Sequence, residues 1–308
     1  MCHFETAARM WIVKVSVFLL AVIEIGLSAS TLESVNDDEL SNLIRSEKYV
    51  VVVFTKKDCE PCDDLENELI ALREDLVDTL NAWVVKATNS QLVKLYNPSK
   101  EPALVFFRHG VPLLYHGPLN DDSILQTFSE NREPAVKELT DDTFEHLTQA
   151  ASGATTGDWF VMFEGTDCAE CGRLMARWEA VGAKLRGRVN VARVDVNSAT
   201  ARRFSVSRAP TFILFRHGRL YRYNIHKYDI DSFVLFASDW FKNVAAEPVP
   251  VPKSPFDDLV ERIAIVFREN PLYWQAGLGV SVIGTILVFL ISCRRARSAK
   301  AAPTKKKK

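Results

Sequence analysis

The chain has 308 residues, 47% hydrophobic and 25% charged, with 38 Lys and Arg against 39 Asp and Glu. That balance excludes a disordered chain, a collagen-like one and a multi-span membrane protein. A net charge of −1 offers no basic face for nucleic acid, so none is expected as a partner. The length predicts about two domains of 100–150 residues, each able to bury a core.

Residues 1–30 read as a targeting segment. Lys14 precedes an apolar run over 15–23, interrupted by Glu24, and the small residues Ser28, Ala29 and Ser30 follow. Such a run fits a signal-peptide core and is too short to span a bilayer, so cleavage is expected near 28–30.

The next two hundred residues repeat themselves. Val51-Val-Val-Phe54-Thr-Lys-Lys-Asp-Cys59-Glu-Pro-Cys62 corresponds to Phe160-Val-Met-Phe163-Glu-Gly-Thr-Asp-Cys168-Ala-Glu-Cys171. Glu101-Pro102 followed by an apolar run and Arg-His-Gly corresponds to Ala209-Pro210 followed by the same pattern. The first cysteines lie 109 positions apart and the prolines 108, so two blocks share nearly one offset. A duplicated domain is expected, with modules over 31–133 and 134–244.

Within each module, β-branched and aromatic runs predict buried strands over 49–54 and 159–163, then 82–86 and 190–196. Each Cys-x-x-Cys opens a helical pattern, with Leu65, Leu69 and Leu72 after the first and Leu174 and Trp178 after the second. Residues 103–107 and 211–215, each followed by Arg-His-Gly, predict hairpins with His109 and His217 on the turn surface. The sum is a pair of α/β domains, each with a central mixed sheet flanked by helices.

A strand feeding a Cys-x-x-Cys at a helix start suits thiol–disulfide exchange. The first sulfur lies by unpaired helix N–H groups that stabilise thiolate, and the second can resolve a mixed disulfide. Cys168 and Cys59 are thus expected to attack, and Cys171 and Cys62 to resolve. A four-cysteine zinc site is the weaker alternative, because each pair has its own strand and proline. No metal and no cofactor are expected.

With the proline about 42 residues downstream, each module resembles the thioredoxin fold, over roughly residues 32–245, and the second repeat, with the targeting segment before it and the span and dilysine tail expected after it, resembles the thioredoxin-related transmembrane branch of the protein disulfide isomerase family. The resemblance implies that Pro102 and Pro210 are cis-prolines lying against the cysteine pairs. Glu101 and Ala209, just before them, would offer backbone to an extended substrate. It also implies cysteine-containing secretory or membrane clients as partners. Departures weaken the implied activity. Asp58 and Asp167 replace the family's tryptophan before the first cysteine. Val53 and Met162 stand where the family keeps a buried acid. Acidic neighbours raise a thiol's pKa. A redox-inactive, client-binding platform with structural disulfides is therefore the alternative.

Beyond residue 244 the composition changes. A Pro-rich stalk is expected first, then a juxtamembrane helix capped by Ser254, together occupying 245–271. Residues 272–293 carry no charge and are followed by Arg294, Arg295 and Arg297, which predicts a type I transmembrane helix. The tail, 294–308, ends in four lysines. Lys305 and Lys306 resemble a dilysine signal read by a coat receptor, so residence in the endoplasmic reticulum membrane is expected.

Overall fold

The computed structural model of the chain describes residues 31–96, 101–153, 156–252, 255–269 and 282–292. Two strands organise it: Tyr49–Thr55 (β2) and Asp158–Glu164 (β7), rich in Val, Phe and Trp. Their inner residues are fully buried, as strands covered on both faces must be. In the first module, Trp83–Thr88 (β3) pairs parallel with β2, and Ala103–Arg108 (β4) pairs antiparallel on its other side. Glu33–Ser34 (β1) lies outside β3 and Val111–Leu114 (β5) outside β4.

The second module has the same strand order. Lys137–Glu138 (β6), Val189–Asp195 (β8), β7, Thr211–Arg216 (β9) and Arg219–Arg222 (β10) lie side by side. A further strand, Glu247–Pro248 (β11), closes the far edge against β10. Both sheets are mixed, as the duplicated pattern predicts.

Helices cover the sheets. In the first module they are Asp37–Ser46 (α1), Glu60–Leu80 (α2), Val93–Tyr96 (α3) and Asp121–Glu130 (α4). In the second they are Asp141–Thr148 (α5), Ala169–Leu185 (α6), Ala199–Arg203 (α7) and Ile230–Ser238 (α8). Along α2, Leu65, Leu69, Leu72, Leu76 and Leu80 form the buried stripe. On α6, Trp178 packs edge-on to Phe160 at 4.9 Å and donates its indole N–H to the Ala192 carbonyl. Both hairpins turn on His-Gly with positive φ at each position (51° and 79°; 50° and 70°). That geometry matches the strand twist and favours glycine second; both histidines are exposed.

The modules share one core. Apolar residues of the first module and those under α6 and α8 of the second form a continuous cluster, while the face of β7 toward α5 and α7 has its own. A buried ion pair sits at the junction: Arg108, at the end of β4, donates to Glu179 of α6 at 2.7 Å, both side chains almost wholly enclosed. Burial lowers the Arg108 pKa, and Glu179 opposes that shift. Glu179 also accepts the backbone N–H groups of Ala135 and Val136, so the segment linking the modules is fixed to the helix. Gly182 makes room for that crossing, since a Cβ there would lie 3.0 Å from the Ala135 methyl.

The Pro-rich segment begins as part of the fold rather than as a free stalk. Glu247 pairs with Arg222, Val249 N–H donates to the Gly218 carbonyl, and Arg203 donates to the Pro250 carbonyl. A separate unit starts at Val251 and contains Pro255–Glu269 (α9) and a helix over 282–292 (α10).

The transmembrane helix expected over 272–293 is corrected here. No helix of the described residues is long and apolar enough to cross a membrane. Among the described residues the fold is thus two α/β modules with no membrane-spanning helix. Residues 1–30, Ser254 and the tail with Lys305 and Lys306 lie outside the described residues.

Two outcomes follow from these contacts. Glu179→Gln strands the enclosed Arg108 charge and should cost about 3–5 kcal/mol in denaturant unfolding, whereas the paired Arg108→Met, Glu179→Gln variant, which keeps an acceptor for the linking N–H groups, should recover part of it. Asp141 spans α5 and α7 by accepting the Thr200 hydroxyl and the Ala199 and Thr200 N–H groups. Burial pushes its carboxyl up, but those hydrogen bonds and Arg202 outweigh it and hold the pKa below 3.8. Its contribution is present above that value and lost as pH falls through the lowered one. Asp141→Asn should therefore flatten the loss of stability as pH falls below about 4, read from unfolding midpoints.

Candidate thiol–disulfide site

Each cysteine pair sits where a strand ends and a helix begins. Cys59 is the N-cap of α2 and Cys168 the N-cap of α6, so each first sulfur lies beside backbone N–H groups with no helical acceptor. Each pair is closed on itself as a disulfide, Cys59–Cys62 and Cys168–Cys171, with Cα atoms 5.2 Å apart in both. Cys62 and Cys171, the expected resolving residues, are almost fully enclosed at 1% and 2% exposure.

The first cysteines differ. Cys59 is buried, 7% exposed, and its sulfur accepts no cap hydrogen bond. Cys168 is half-exposed, and its Sγ accepts the Cys171 N–H at 3.0 Å. A backbone donor aimed at sulfur stabilises the thiolate of the reduced pair. The flanking acids Asp58, Glu60, Asp167 and Glu170 are all exposed, where water weakens their effect on the thiols.

The proline loops take the positions that strand pairing gives them. Phe54 is registered with Ala103 and Phe163 with Thr211, so the start of β4 or β9 lies beside the strand end that leads into the cysteines. The Glu101-Pro102 and Ala209-Pro210 peptides are both cis, and all four residues are half-buried. A Cβ built on Gly165, just before the second cysteine turn, would lie 3.7 Å from the Ala209 methyl. The second proline loop and the second cysteine loop are therefore neighbours.

A cleft of about 590 Å³ opens beside the second pair, and both Cys168 and Cys171 line it. Its polar wall contains residues that the spacing of motifs did not single out. Glu164 lies two positions beyond Met162, hence on the same face of β7. Arg193 of β8 donates to Glu164 at 3.0 Å and to Glu138 at 2.9 Å. Burial raises the Glu164 pKa against the pull of Arg193. The period-two alternation from Met162 was the sequence signal for Glu164; nothing local in sequence ties Arg193 or Glu138 to the cysteines.

The thioredoxin domain family matches residues 135–234, the second module. A thioredoxin domain-containing protein of Theileria parva is 34% identical over 184 residues, covering 55% of this chain and 84% of that protein. Human protein disulfide-isomerase A4 is 26% identical over 218 residues, covering 65% of this chain but only 33% of the relative. Among solved structures, full-length ERdj5 aligns over 68% of this chain and 31% of its own, at 20% identity and a TM-score of 0.39. With the relative from Theileria parva matched over most of its length, and with both cysteine pairs at helix N-termini beside cis-prolines, the chain belongs to the thioredoxin domain-containing proteins.

Proposed function

We propose that the protein is a thiol–disulfide oxidoreductase acting on cysteine-containing client proteins, and that the second module carries the exchange. The observation that carries this reading is the half-exposed Cys168, at a helix N-terminus and on the wall of an open cleft. Two closed disulfides fit an oxidising compartment such as the endoplasmic reticulum.

From the oxidised pair, the step runs as follows. A client thiolate attacks Cys168 Sγ; the client–Cys168 bond forms, the Cys168–Cys171 bond breaks, and Cys171 leaves as a thiolate that takes up a proton. The client's second thiolate then attacks its own bonded sulfur. A client disulfide forms, Cys168 leaves as thiolate beside the Cys171 N–H, and it too is protonated. The client has lost two electrons and two protons, and the module has gained both. The reverse sequence reduces a client disulfide.

The burial of Cys59 favours a second role for the first module. With its sulfurs enclosed, that pair acts as a structural staple, and the module serves as a platform for the client.

The reading is tested with the reduced protein and a fluorescent peptide disulfide. Cys168→Ser should slow reduction more than about tenfold by removing the nucleophile, whereas Cys59→Ser should slow it less than about twofold. Cys171→Ser should accumulate a trapped mixed disulfide through Cys168, visible by mass spectrometry. Full activity in Cys168→Ser would move the exchange to the first module, and inactive wild-type protein would leave the platform as the function.

A further inference from the structure

We propose that the cleft beside Cys168 selects client segments carrying Lys or Arg next to the reacting cysteine; this rests on the exchange reading above. The two modules supply an internal comparison, because strand register aligns them residue by residue. Glu164 is registered with Asp195 in the second module, where Thr55 is registered with Thr88 in the first. Glu138 is registered with Arg193, where Ser34 is registered with Lys86. Three neutral positions of the first module are thus carboxylates in the second, and all three line the cleft.

Of the remaining charge, one cation and one acid recur in both modules with structural work in each, whereas Glu66 and Asp63 of α2 stand where the second module has the cleft-lining Met175 and Gly172. Lys86 pairs with Glu66 as Arg193 pairs with Glu164 and Glu138. Asp37 accepts from Ser90 and Gln91 as Asp141 accepts from Thr200 and Ala199. The cleft therefore holds four carboxylates, Glu138, Asp141, Glu164 and Asp195, against the one guanidinium of Arg193. Arg193 is already shared between two of them.

The arrangement works against the fold. In the first module the threonine hydroxyls of the registered pair meet at 3.2 Å, a stabilising cross-strand contact. In the second the same positions place two acids side by side, and both Glu138 and Asp195 help keep the Glu164 pKa raised. Like charges directly opposite destabilise a sheet, so their placement beside the exchanging sulfur points to a cation supplied from outside. Among the described residues no three acids converge as a metal site requires. A flexible Lys or Arg side chain beside a bound cysteine needs no such convergence. Its charge can settle among carboxylates spread along the wall.

The test measures reduction of three disulfide peptides by the fully reduced protein. The peptides have equal length, with the cysteine flanked by Lys, Gln or Glu. At low ionic strength the rates should fall in that order, with Lys about tenfold above Glu. In 1 M salt, where screening acts within about 3 Å, the ratio should approach one. Glu138→Gln, which keeps a hydrogen-bond acceptor for Arg193, and Asp195→Asn should each lower the Lys-to-Glu ratio by about twofold. Equal rates for all three peptides overturn the selectivity while leaving the exchange intact. A preference that persists in 1 M salt also overturns it, since recognition would then be steric. No reaction with any peptide overturns the exchange and the selectivity together.

Discussion

The carboxylate of Glu179 is the point on which the two modules meet. It receives the Arg108 guanidinium from the first sheet and two backbone N–H groups from the linking segment, all inside an apolar junction. A buried ion pair carries a large desolvation penalty, and only well-directed hydrogen bonds offset it. The pair's geometry is therefore specified closely. Because Glu179 belongs to α6, the helix that begins with Cys168, the first module holds the helix that presents the second module's sulfur. The junction and the site lie on one rigid element, with Glu179 eleven residues after Cys168.

Duplication followed by divergence runs through the molecule. Both modules keep the strand order, the His-Gly turn, the helix-capping cysteine and the cis-proline. The arginine before each His-Gly turn shows how one inherited residue acquires two uses. Arg108 is enclosed at the junction, while Arg216 pairs with Asp158 and lies over the Phe241 ring at the surface. The cysteines diverge similarly, with Cys59 enclosed and Cys168 accessible. Equal motifs thus came to occupy unequal surroundings, and the surroundings decide which pair can meet another chain.

Much of this was legible beforehand because it is local. The strands, the leucine stripe of α2 and the turn glycines follow from periodicity and backbone geometry within a few residues of each motif. The thioredoxin-like fold followed from two motifs at one offset. What was hidden is non-local. Glu179 reads as one more acid on a helix until the fold brings Arg108, 71 positions earlier, against it. Arg193 and Glu138 come to the cysteines only through sheet register. For the apolar stretch over 272–293, composition implied a span, while no helix of the described residues is long and apolar enough to cross a membrane.

The short strand β11 has a consequence for how the domain can be cut. It covers the open backbone of β10, and its prolines at 248 and 250 lack the N–H groups that a further strand would need. On the first sheet, β5 lies against α6, in the interior of the molecule. A fragment ended at residue 244, beyond the last motif of the second module, would bare hydrogen-bonding groups along Arg219–Arg222. Such a ribbon invites a neighbouring molecule to add its own strand. The Glu-Pro-Val-Pro segment thus does more than lead the chain away: it keeps the protein from templating its own aggregation.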